Sequence, residues 1–222
     1  MSWTDKGALK TIWAIKDFFK VRTLVETGTF KGINAEIHAN HFDEVQTSEL
    51  IPEYYEEAKR RLDKYDNVKL FNVDSQKHIL DFIKEYKQQN RKDYVIFYLD
   101  AHFYNPDGPR WVVQRELDAL KGFDKAIVII HDFNNGLGHC IYDGERLGWN
   151  VVKNIKKINN KFKYYTNLLE HCDIVKLGEM NDLVAEDNVK YLWQTPRLTY
   201  RGLLYAVPSK LPESINLVKC LQ

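Results

Sequence analysis

The chain has 222 residues, 44% of them hydrophobic and 28% charged, with 32 Lys and Arg against 31 Asp and Glu. At about 150 residues per domain this is one well-filled domain, and the composition excludes a disordered, collagen-like or coiled-coil chain. A net charge of +1 lacks the basic excess of a strong nucleic-acid binder, and no stretch reaches the roughly 18 apolar residues that span a bilayer. The residues Leu9, Ile12, Trp13, Ile15, Phe18 and Phe19 recur at helical spacing, which predicts an N-terminal helix over 1–20 rather than a secretory signal. Residues 23–29 (TLVETGT) read as a short strand running into a turn with Gly28 and Gly32, followed by a helix over 34–42. A second strand is expected at 44–49, and Pro52 then starts a helix over 52–65 at the position prolines favour. A third strand is expected at 67–74, and Ser75 is placed to cap a helix over 75–89.

The runs 94–101 (YVIFYLDA) and 126–132 (AIVIIHD) are nearly continuous in apolar residues, as central strands buried on both faces are. A helix over 110–120 joins them, and a Gly- and Asn-rich loop over 133–148 follows. A helix over 150–159 and late strands at 162–165, 173–177 and 202–207 complete the reading, with 180–200 as a loop over one end of the sheet. Strands alternating with helices in this rhythm imply βαβ units, a mostly parallel sheet and helices on both faces. The three cysteines Cys140, Cys172 and Cys220 form no CxxC and no metal spacing, which reads as a reduced, cytoplasmic chain.

Ligands of an open α/β sheet bind outside the carboxyl ends of its strands. The expected site residues are therefore Glu26, Thr27, Gly28 and Thr29, then Glu49, Asp74 and Ser75, then Asp100 and His102, then His131 and Asp132. Four of the first five strands end at or near a carboxylate, where a phosphate site would want Lys, Arg and backbone N–H groups. The turn from Gly28 to Gly32 is G-x-x-x-G and not the G-x-G-x-x-G of dinucleotide sites. Glu49 lies 21 residues after Gly28, where a carboxylate accepts from both ribose hydroxyls of a nucleoside. Asp74 and Ser75 stand where a side chain meets the exocyclic amine of adenine. The pattern points to an adenosine-containing ligand.

The segments VETGTFKG (25–32), SELIPEYYEEAKRRL (48–62), VDS (73–75), YLDAHF (98–103), IIHDF (129–133) and RGLLYAVP (201–208) resemble those of class I S-adenosylmethionine-dependent methyltransferases. More narrowly, the chain is similar to the macrocin O-methyltransferase type. The resemblance implies a Rossmann-like, doubly wound, mostly parallel seven-stranded sheet. It implies one domain, with the N-terminal helix at 1–20, a cofactor core at 21–135, and a substrate-side loop and closing strands at 136–222. Glu26, Thr27, Gly28, Thr29 and Gly32 would border the methionine part of S-adenosylmethionine. Glu49 would hold the ribose, Asp74 and Ser75 would face the adenine, and Asp100 would border the cofactor.

Asp100 and Asp132 would be carboxylate ligands of Mg²⁺ or Mn²⁺. His131 stands where such enzymes often carry a second adjacent acid, and it reads either as an activating group or as a core residue of its strand. His102, two residues after Asp100, would be the base that takes the acceptor's proton. The acceptor implied is a small hydroxylated molecule or glycan, with no nucleic acid and no membrane; a homo-oligomer is compatible with the sequence. Phe103, Tyr104, Trp111, Phe133, Tyr142 and Trp149 would form a stacking wall for a sugar ring or cap the sheet. A nicotinamide-dependent reductase is the rival reading, because Tyr55 and Lys59 form a YxxxK, although this follows the second strand. A non-catalytic nucleoside-binding module is the other, but it would be expected to lose the strand-end carboxylates.

Overall fold

A computed structural model describes residues 6–101, 111–134, 141–142, 145–167, 202–215 and 217–220. Helix α1 (Lys6–Phe19) buries Leu9, Ile12 and Ile15 on one face and leaves Phe18 exposed. Strand β1 (Thr23–Thr27) leads to α2 (Ile33–Ala39), β2 (Glu44–Ser48) to α3 (Pro52–Leu62), and β3 (Val68–Phe71) to α4 (Ser75–Gln88). Strand β4 (Val95–Leu99) leads to α5 (Val113–Ala119) and then to β5 (Ala126–Ile130). A two-stranded hairpin, β6 (Ile141–Tyr142) with β7 (Glu145–Arg146), falls inside the segment expected to be loop. The helix expected at 150–159 is a four-residue α6 (Trp149–Val152) that tightens into a 3₁₀ turn (Lys153–Lys157). Strands β8 (Lys163–Thr166), β9 (Leu204–Val207) and β10 (Val218–Lys219) close the sheet. The strand expected at 173–177 lies outside the described residues.

The main sheet runs β10-β8-β9-β5-β4-β1-β2-β3. Strands β1 to β5 are mutually parallel, β9 is antiparallel to β5 and β8, and β10 is antiparallel to β8. The seven strands of four or five residues match the expected mostly parallel sheet, and the two-residue β10 adds an eighth edge strand. Every residue of β1, β4 and β5 is buried, which is why their sequences do not alternate. Edge strand β3 does alternate, with every second residue exposed. Two apolar cores lie on opposite faces. One packs Ile12, Ile15, Ala35, Ala58 and Leu62 on Leu24, Ile96 and Tyr98; the other packs Ile79, Phe82, Val113 and Leu117 on Val25, Phe97 and Leu99. The order of crossovers reverses between β1 and β4, so the carboxyl ends of those two strands border the natural crevice.

Candidate active site

The turn after β1 places Gly28 hard against the end of β4. Gly28 has φ +78°, and a Cβ there would sit 2.8 Å from the Asp100 carbonyl oxygen and 2.9 Å from the Ala101 Cα. The absent side chain thus allows the turn to pack closely on the end of β4. Gly32, also at φ +78°, caps the start of α2, and its missing Cβ makes room for Ala58 and Leu62 of α3. Among the described residues, four non-glycine residues have positive φ: Lys20, Phe30, Asn90 and Asp132. Lys20 and Asn90 follow the ends of α1 and α4, a common helix-terminating arrangement. Phe30 and Asp132 lie in the turns after β1 and β5, so the backbone strain that is left falls at the candidate site.

Glu26 is fully buried inside β1. Asn34 Nδ2 donates to its Oε1 at 2.6 Å and Thr47 Oγ1 to its Oε2 at 2.5 Å. Thr29 and Thr47 hydroxyls are 2.6 Å apart; since Thr47 spends its one proton on Glu26, Thr29 must donate to Thr47. Burial outweighs these donors and pushes the Glu26 pKa up to about 7. Glu49 is nearly buried. Its Oε2 accepts from the Phe30 N–H at 2.7 Å and its Oε1 from the Ile51 N–H at 2.9 Å. Each oxygen therefore keeps acceptor capacity for a further hydroxyl.

Asp74, not Ser75, caps α4: its Oδ1 accepts from the N–H groups of Gln76 and Lys77 at 3.0 and 3.3 Å. Arg115 of α5 also reaches that oxygen at 3.2 Å. Ser75 is buried at the first helical position.

At the other side of the crevice, His131 follows β5 and is fully buried. Its Nδ1 lies 2.9 Å from Asp100 Oδ1 and 3.4 Å from Asp132 Oδ1. Burial works against protonation of the ring, but the two carboxylates hold its pKa well above the usual range, at about 10. This placement favours the core-residue reading over an activating group facing an acceptor. The three side chains bring one ligand atom each within 4.8 Å of one another. They do not suit Mg²⁺. One donor is a nitrogen, and the Asp100, His131 and Asp132 side chains are only 5%, 0% and 8% exposed. A hard octahedral ion takes oxygen donors and keeps several waters.

Glu116 of α5 escaped the sequence reading. It is fully buried, and neither carboxylate oxygen has a hydrogen-bond partner. Burial raises its pKa to about 7; the nearby Ser75 and Thr27 hydroxyls oppose the rise, and the charges of Asp100 and Asp74 add to it. The signal was present: Val113, Glu116, Leu117 and Leu120 sit at core spacing on one helix stripe, and all four are buried. Glu26 and Glu116 thus flank the ends of β1 and β4 from opposite faces. Both have folded pKa values raised from 4.5 to about 7. The folded state then binds more protons than the unfolded one between those values, so the two groups lose the protein stability as pH rises from about 4.5 through 7. Glu116→Gln is expected to stabilise by about 1–3 kcal/mol at pH 8 and by little at pH 4.5. Urea melts at the two pH values check this.

His102, Phe103 and Tyr104 lie outside the described residues, as does the side chain of Tyr142. Trp111 and Phe133 are 3% and 1% exposed and cap the sheet; Trp149, 38% exposed, packs edge-on against Phe133 and remains open to a ligand. Tyr55 and Lys59 lie on α3 between β2 and β3, as expected, away from the ends of β4 and β5.

Among the solved structures that the chain resembles are two at a TM-score of 0.50. One is the N-methyltransferase NodS from Bradyrhizobium japonicum WM9, at 12% identity over 90% of this chain and 94% of that one. The other is a SAM-dependent methyltransferase from Anabaena variabilis, at 10% identity over 92% and 85%. The chain has the class I methyltransferase fold. No family model and no curated protein matches it in sequence, so the likeness is one of fold. Among the described residues no helix is long and apolar enough to cross a membrane.

Proposed function

We propose that the protein transfers a methyl group from S-adenosylmethionine to a hydroxyl of a small acceptor, a sugar or glycosylated metabolite. The observation that carries this reading is the acidity of the crevice edge. Among the described residues, no Lys or Arg pairs with Glu49, whose oxygens accept from the Phe30 and Ile51 N–H groups, and Asp100 Oδ2 is buried without a hydrogen-bond partner. Such an edge suits a nucleoside carrying a sulfonium and an ammonium, and it repels the pyrophosphate of a nicotinamide dinucleotide. Glu49 binds the ribose hydroxyls, Asp74 and Ser75 border the adenine, and Glu26, Thr27, Gly28, Thr29 and Gly32 border the methionine part. Bound S-adenosylmethionine supplies an electrophilic methyl carbon. His102 accepts the proton of the attacking hydroxyl, and Asp100 orients the site beside it.

NodS is named an N-methyltransferase, so amines belong in the test. Incubation with S-adenosylmethionine and a panel of sugars, glycosylated metabolites and amino sugars should give a product one methyl heavier, read by mass spectrometry. Fragmentation should place the methyl on oxygen. Methylation confined to amines would overturn the hydroxyl assignment.

A further inference from the structure

We propose that the His131 imidazole occupies the place of a divalent cation between Asp100 and Asp132, making this a metal-free centre. The two carboxylates stand at the ends of adjacent parallel strands, β4 and β5. Carboxylates brought together this way repel unless a donor or cation lies between them. The ring nitrogen lies there as an ion-pair contact, 2.9 Å from Asp100 Oδ1 and 3.4 Å from Asp132 Oδ1.

The backbone is bent to make the arrangement. His131 and Asp132 follow β5 in a turn. Asp132 has φ +58°, a left-handed conformation, and its carboxylate lies back against the His131 ring. The ring itself is fixed from behind by Tyr98, with centroids 6.0 Å apart. His131 is thus a positioning residue. It holds Asp100 by Oδ1 and leaves the buried Oδ2 for the contents of the crevice. Under the methyl-transfer reading, on which this last step rests, turnover needs no metal ion.

The test is calorimetric titration of the full chain with MnCl₂ and MgCl₂, with thermal melts in parallel. The unchanged protein should take up neither ion stoichiometrically, and its melting temperature should not respond to Mn²⁺ or EDTA. His131→Ala leaves the two carboxylates facing each other and should bind Mn²⁺ at least about tenfold more tightly than the parent, a gain of roughly 1.4 kcal/mol. His131→Asn restores an N–H near the Nδ1 position and should behave as the parent does. If His131→Ala does not fold in plain buffer, refolding in MnCl₂ reads the same gain. Stoichiometric Mn²⁺ uptake by the parent that Asp100→Asn abolishes would overturn the proposal, and so would a His131→Ala protein indifferent to Mn²⁺. A separate titration with S-adenosylhomocysteine keeps the two readings apart: its failure removes methyl transfer and leaves the metal result standing.

Discussion

Gly28→Ala should cost about 2–5 kcal/mol, enough to remove a large part of the stability of an ordinary domain. Two terms add. The residue sits at φ +78°, where an L side chain costs roughly 1–2 kcal/mol. The new Cβ would also lie within 3.0 Å of three backbone atoms of Asp100 and Ala101, and backbone at the end of a central strand has no rotamer by which to retreat. Overpacking of this kind costs roughly another 1–3 kcal/mol. The control is Gly122→Ala. Gly122 has φ +75° but nothing within 4 Å of its would-be Cβ, so only the backbone term of roughly 1–2 kcal/mol should appear. In urea melts the Gly28 midpoint should fall far below that of Gly122→Ala, with the slope unchanged in both. Equal midpoints would mean that the ends of β1 and β4 are not in the close contact described.

His102→Ala should lower methyl transfer by roughly 10²–10⁴ while leaving affinity for S-adenosylhomocysteine nearly unchanged. An alcohol is a poor nucleophile until its proton leaves, and in sequence His102 follows Asp100 by two residues. His131 is buried against two carboxylates, so the proposed reaction gives the base to His102. The parent's rate should rise with pH through an apparent pKa near about 6.5, and the rise should vanish in the variant. Retention of most of the rate in His102→Ala, with the profile intact, would move proton removal elsewhere. Loss of S-adenosylhomocysteine binding would make the residue a cofactor contact instead.

Much of the architecture is legible in the chain because its central strands leave little choice. The segments of β4 and β5 are apolar without alternation, and only a sheet covered on both faces buries such runs. Their carboxyl ends then gather Asp100, His131 and Asp132 by topology alone. Boundaries were less legible. Asp74 displaced Ser75 as the α4 cap because its side chain reaches two N–H groups from outside the helix. Local sequence also could not show that Gly28 packs on backbone 72 residues away, at the end of β4. Glu116 was missed because a helical carboxylate usually faces water, and its place on an apolar stripe has meaning only once that stripe is known to be buried. The meeting of His131 with Asp132 depends on one left-handed residue, a conformation that aspartate adopts more readily than most side chains but that its place in the sequence does not fix.

The central claim is that the crevice between β1 and β4 holds the nucleoside of S-adenosylmethionine, with Glu49 as its ribose acceptor. Calorimetric titration of the full chain with S-adenosylhomocysteine tests it most directly, beside Glu49→Ala and a parallel titration with NAD. Micromolar binding, about 7–9 kcal/mol, is expected for the parent. Glu49→Ala should bind about 30- to 1000-fold more weakly, because two hydroxyls lose a charged acceptor worth roughly 2–4 kcal/mol. No heat with S-adenosylhomocysteine, together with tight binding of NAD, would contradict the account.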